Sequence, residues 1–77
     1  MISFEVKTTE SSISPVELEV FLDKDGLAIL LRKLEALQAK HTEHVHMFST
    51  SWGGHELEDQ PTVLGSSAIQ HVKIYLR

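Results

Sequence analysis

Apolar and polar residues alternate from the start of the chain. Ile2, Phe4 and Val6 interleave with Ser3, Glu5 and Lys7, the two-residue period of a half-buried strand. The polar run from Thr8 to Pro15 reads as a turn closed by proline. Val16, Leu18, Val20 and Leu22 then alternate with Glu17, Glu19 and Phe21. This is a second strand, and the short connection predicts an antiparallel hairpin with the first. Asp23 stands where a helix N-cap belongs, with Leu22 and Leu27 spaced for a hydrophobic staple. Leu27, Leu30, Leu31, Leu34 and Leu37 recur at helical spacing, which predicts a helix from about residue 24 to about residue 40 with its leucine face inward. Lys40 and His41 fall at its C-terminal end, where cations are favoured. Ile29 and Ala36 fall on its outer face.

A third strand runs from Glu43 to Thr50. Val45, Met47 and Ser49 share one side; His44, His46 and Phe48 share the other. Ser51 to Ser67 is long for a connection in so small a protein, and such loops are usually functional or hold a short element. It begins with Trp52-Gly53-Gly54, where a tight turn is the plain role of the glycines, and Thr62-Val63-Leu64 is the candidate short strand within it. The last strand is Ala68 to Leu76, with Val72, Ile74 and Leu76 toward the core and Ile69, His71, Lys73 and Tyr75 opposite.

The order strand, strand, helix, strand, strand predicts a single α+β domain over residues 1–77. One leucine-faced helix must cover one apolar sheet face, so the expected architecture is a two-layer sandwich with a mainly antiparallel sheet. Val16, Leu18, Val20, Val45, Met47, Val72 and Ile74 belong under the helix. Glu17, Glu19, Phe21, His44, His46, Phe48, His71, Lys73 and Tyr75 then share the opposite face, which the chain has no second helix to cover. Aromatic and histidine side chains rimmed by charge make this face a candidate protein contact or self-association surface.

Composition narrows the function. Seventy-seven residues allow one domain near the lower size limit for a self-sufficient core. With no cysteine there is no disulfide, thiolate ligand or thiol nucleophile. A net charge of −4 argues against nonspecific nucleic-acid binding and suits a basic protein partner. The longest fully apolar run, Leu27 to Leu31, is too short to span a bilayer, and the N-terminal residues do not form a signal peptide, so a cytoplasmic location is expected.

His44-x-His46 has a sharper alternative. Residues two apart in a strand point the same way with alpha carbons roughly 6.5–7 Å apart. Two imidazoles can then converge on a metal, with His71 as third ligand and His55 or a carboxylate completing a zinc shell. The bland alternative is that these histidines pack or contact a partner. No serine sits in a nucleophile elbow, and Gly53-Gly54 is followed by no phosphate-binding lysine, so no enzyme or cofactor is expected.

The segment Leu22-Asp23-Lys24-Asp25-Gly26-Leu27, the strand His44-Val45-His46-Met47, the turn Ser51-Trp52-Gly53-Gly54, Glu56-Leu57 and the strand His71-Val72-Lys73-Ile74-Tyr75-Leu76 together resemble the immunity protein 32 family of bacterial polymorphic toxin systems. The resemblance covers roughly residues 16–77. It implies a protein that binds and neutralises a toxin of the same cell or its kin, without catalysis. The matching positions of interest are His44, His46, Trp52, Gly53, Gly54, His71 and Tyr75, to which the face adds Phe21 and Phe48. For a basic toxin, Glu17, Glu19, Glu56, Glu58 and Asp59 are candidate steering charges. A homodimer using the aromatic face is a further alternative.

Overall fold

A computed structural model of the chain describes residues 1–8 and 15–77. The predicted turn after the first strand, and the burial expected of Val16, lie outside the described residues. β1 (Ile2–Thr8) pairs antiparallel with β2 (Pro15–Leu22), and α1 (Lys24–Gln38) follows. β3 (His44–Phe48), a 3-10 turn at Thr50–Trp52, β4 (Ser67–Ala68) and β5 (His71–Tyr75) complete the order. The class is α+β, as the alternation predicts: one helix contacts strands arranged in two small antiparallel sheets, β2-β1-β4 and β3-β5. No helix among the described residues is long and apolar enough to cross a membrane.

The single sheet and single last strand of the sequence reading are corrected here. The final segment changes partner midway. Ile69 donates its amide to Phe4 at 2.8 Å, while Gln70 accepts from Ser49 at 2.9 Å. A strand edge serves one neighbour at a time, so the ladder divides at that exchange. Leu57 joins the halves, bridging both Ile2 and Ser49 in parallel sense. Its amide donates to Phe48 at 3.1 Å, and the next amide, of Glu58, donates to Ile2 at 2.9 Å. Thr62-Val63-Leu64, the candidate strand, is bend and turn instead, with Leu64 fully exposed.

Asp23 caps α1 as expected, its carboxylate accepting from the Gly26 amide at 2.7 Å. The helix is rotated from the predicted orientation. Ile2, Met47 and Leu57 form the buried centre, and Ile29 and Leu30 pack on it with Phe4, Val72 and Ile74. Leu37 is buried at the far end, but Leu27, Leu31 and Leu34 stay on an exposed flank. Ile29, expected outside, is therefore a core contact. Gly26 is buried where the helix meets Met1 and Ile2, which sets that rotation.

Leu18 and Val20, expected under the helix, are 57% and 43% exposed. The reason is width. A helix is about 10–12 Å across, and strands lie about 4.8 Å apart. One helix covers about two strands, and Ile29 and Leu30 of α1 pack on the centre formed by Ile2 of β1, Met47 of β3 and Leu57, which leaves Leu18 and Val20 uncovered.

The other side of β1 departs further from alternation. Ser3 and Glu5, expected toward solvent, are fully buried. The long connection folds over them. The Glu5 carboxylate accepts from the Ser3 hydroxyl at 2.6 Å, the Thr62 hydroxyl at 2.7 Å, and the amides of Thr62 and Val63 at 2.9 and 3.1 Å. Burial opposes its ionisation, but these donors together outweigh that and hold its pKa at about 2.

Candidate partner-binding face

β3 and β5 align His44 with Tyr75, His46 with Lys73 and Phe48 with His71 on one side, and Val45 with Ile74 and Met47 with Val72 on the other. The second set faces the core, so the predicted division of this strand pair holds along it; Leu76, expected toward the core, lies past the end of β5 and is exposed. On the open side the rings touch in a chain. His44 and Tyr75 have centroids 5.3 Å apart, His44 and His46 5.8 Å, and His46 and Phe48 4.9 Å. Phe48 stacks on His71 at 4.0 Å and 13°, and His46 approaches His71 at 5.8 Å. Trp52 stands beside His71 at 6.4 Å and is 60% exposed.

The turn that carries Trp52 is braced from three sides. The Thr50 hydroxyl donates to Asp59, and the Ser51 amide donates to the same carboxylate at 2.9 Å. These donors, the Thr50 hydroxyl foremost, hold the Asp59 carboxyl at about 2. Ser49 donates to the Gln70 side chain at 2.6 Å, and Gln70 donates onward to the Asp59 carbonyl at 3.1 Å. Gly53 closes the turn at φ 87°, a left-handed conformation that suits glycine. Gly54 lies directly against Phe48, where a methyl group would meet the Phe48 Cβ and carbonyl oxygen. Gly53 thus closes the turn beside Trp52, and Gly54 seats the Phe48 backbone.

Not every predicted site residue joins this cluster. Phe21 lies on β2 opposite Ser3, in the other sheet, and makes none of these ring contacts. The candidate steering acids are largely engaged. Glu19 and Glu17 sit 2.8 and 3.9 Å from the Lys7 ammonium, and Glu56 sits 3.7 Å from that of Lys33. Asp59 braces the turn. The charge offered beside the rings is positive: Lys73 and Arg77 lie 5.2 and 5.5 Å from the Tyr75 ring centre. Lys73 in this role was legible from its pairing side, but Arg77 was not. The Asp59 and Gln70 braces had no local signal, because they join turns that are distant in sequence.

Among the described residues, no group of three histidine, aspartate or glutamate side chains is placed to hold a metal ion. His44 pairs with Tyr75 rather than with His71, which parts the proposed ligand triad. The Nε2 atom of His71 is shut off from solvent and makes no hydrogen bond among the described residues. Compared with family models, curated proteins and solved structures, the chain matches none of them.

Proposed function

We propose that this chain is an immunity protein that binds a cognate bacterial toxin stoichiometrically in the cytoplasm and blocks it sterically. The observation that carries this reading is the open ring cluster of β3 and β5, ending in the exposed, braced Trp52. Tryptophan and tyrosine dominate interface energetics when a partner desolvates them. Here the ring face is preorganised by cross-strand contacts, so little conformational entropy remains to be lost on docking. The resemblance to the immunity protein 32 family supports the partner class. No catalytic, metal or cofactor chemistry is part of this reading.

The test is co-expression with the product of the adjacent upstream reading frame, followed by pull-down and a growth assay. The wild-type chain is expected to form a complex and restore growth. Trp52→Ala is expected to weaken the complex by about thirty-fold or more, the scale of a hot-spot loss of about 2 kcal/mol. Its stability should change by about 0.5 kcal/mol or less, as for other exposed positions. A soluble, folded chain that neither binds nor rescues would overturn the reading.

A further inference from the structure

We infer that the ring face is a site for an acidic protein surface and hence, resting on the toxin reading above, that the toxin presents carboxylates to it. The sign is the reverse of the one net charge suggests. On the open side β3 and β5 set His44, His46 and Phe48 against Tyr75, Lys73 and His71. Lys73 and Arg77 both close on one ring, 5.2 and 5.5 Å from the Tyr75 centre. Among the described residues, neither cation forms an ion pair with an aspartate or glutamate side chain. Glu43 stands at the end of β3, where its carbonyl accepts the Leu76 amide at 3.3 Å, and it does not pair with Arg77. Asp59, the acid beside the Trp52 turn, has both oxygens engaged, by the Thr50 hydroxyl and the Ser51 amide.

Two like charges held against one ring repel each other, and its π face replaces only part of their hydration. A carboxylate docked at Tyr75 supplies what that arrangement lacks, through charge-assisted hydrogen bonds. The rings supply the rest of the fit. Trp52 and Tyr75 are 60% and 48% exposed, and aromatic anchors edged by charge of one sign suit an apolar surface edged by the other. The net charge of −4 does not oppose this. Glu17 and Glu19 stand on β2, in the other sheet, beside Lys7, and exposed charges more than about 8 Å apart are largely screened at physiological salt. A single-stranded nucleic acid would also stack on these rings, but it needs a cationic groove along its backbone. Residues 44–48 and 71–77 supply Lys73 and Arg77 alone.

Trp52 is the only tryptophan of the chain, so its fluorescence reads occupancy of this face. The probes are a short peptide of alternating glutamate and leucine, the same peptide with lysine for glutamate, and oligothymidylate. The glutamate peptide is expected to change Trp52 fluorescence saturably, with a midpoint about ten-fold or more below that of the lysine peptide. Combining Lys73→Glu with Arg77→Glu should raise that midpoint by about ten-fold or more, with circular dichroism unchanged. No saturable change with the glutamate peptide, an equal response to both peptides, or tighter binding of oligothymidylate would each overturn the inference. The co-expressed complex separates this from the toxin reading. There the double charge reversal should weaken capture as Trp52→Ala does. Capture weakened by Trp52→Ala but kept by the double reversal would sink the acidic contact and leave the toxin reading standing. A chain that binds the glutamate peptide but captures no toxin would sink the toxin reading and leave the acidic site.

Discussion

Glu5→Gln is expected to lower stability by about 3 kcal/mol, the largest effect of any single change considered. Glu5 is fully buried and both its oxygens accept hydrogen bonds, from two hydroxyls and two backbone amides. Glutamine keeps one oxygen and turns the other into a donor, which then faces Val63 N–H or the Thr62 and Ser3 donors. Breaking a buried charged cluster in this way costs about 3–5 kcal/mol. A chain of this length has roughly 4–12 kcal/mol in total. The melting temperature should therefore fall by about 12–24 °C, which a thermal melt reads directly. A melt within about 3 °C of wild type would show that the carboxylate does not hold the connection over β1.

The same group gives the fold an acid limit with a definite sign. The Glu5 pKa is lowered from 4.5 to about 2 in the folded chain, so folding favours its ionised form. Its contribution is complete above the unfolded value and is lost as pH falls through the folded one. Asp59, lowered from 3.8 to about 2, acts in the same direction. Denaturant midpoints measured from pH 5 down to pH 2 should fall in the wild-type chain. In Glu5→Gln the fall should be shallower, because one of the carboxyl groups whose pKa folding lowers is gone.

Gly54→Ala is expected to be more damaging than Gly53→Ala, although Gly53 is the residue with positive φ. At Gly53 a methyl group meets nothing, and the cost is the left-handed conformation alone, about 1–2 kcal/mol. At Gly54 the methyl group meets the Phe48 Cβ and backbone carbonyl, neither of which is a flexible chain end. That carbonyl also accepts the amides of Glu56 and Leu57, at 3.2 and 3.1 Å. Relieving the collision disturbs the bridge between the sheets and the seat of the Phe48–His71 stack together. A loss of about 2–3 kcal/mol follows, typical of overpacking at a site without slack. Paired melts of the two variants decide it; a larger loss for Gly53→Ala would reverse the roles assigned here.

What was legible in the sequence was what short-range periodicity encodes. The β1–β2 hairpin, the Asp23 cap, the helix to within two residues, and the two sides of the β3–β5 hairpin all follow from alternation and helical spacing. The His44, His46, Phe48, His71 and Tyr75 cluster was legible for the same reason. Contacts made across long separations were not. Ser3 and Glu5 alternate as solvent-facing residues do, and only a loop 57 residues away in sequence makes them interior. Leu27, Leu31 and Leu34 obey helical spacing as well as Leu30 and Leu37 do. Periodicity gives the apolar side of a helix but not which edge of a wide stripe meets a narrow core.

Leu57, Thr62, Val63 and β4, which flank and cover β1, also set the order of assembly. During synthesis β1 and β2 emerge before the other elements and can pair at once. The residues that close the polar side of β1 and bridge it to β3 come from the later half of the chain. Until Ala68 has been made, β1 has one strand neighbour instead of two. Closure across such separations carries a large loop-entropy cost before any contact repays it, and folds governed by it form slowly for their size. The hairpin that forms first is thus a waiting template, and commitment to the native fold is deferred until the connection after β3 and β4 have been made.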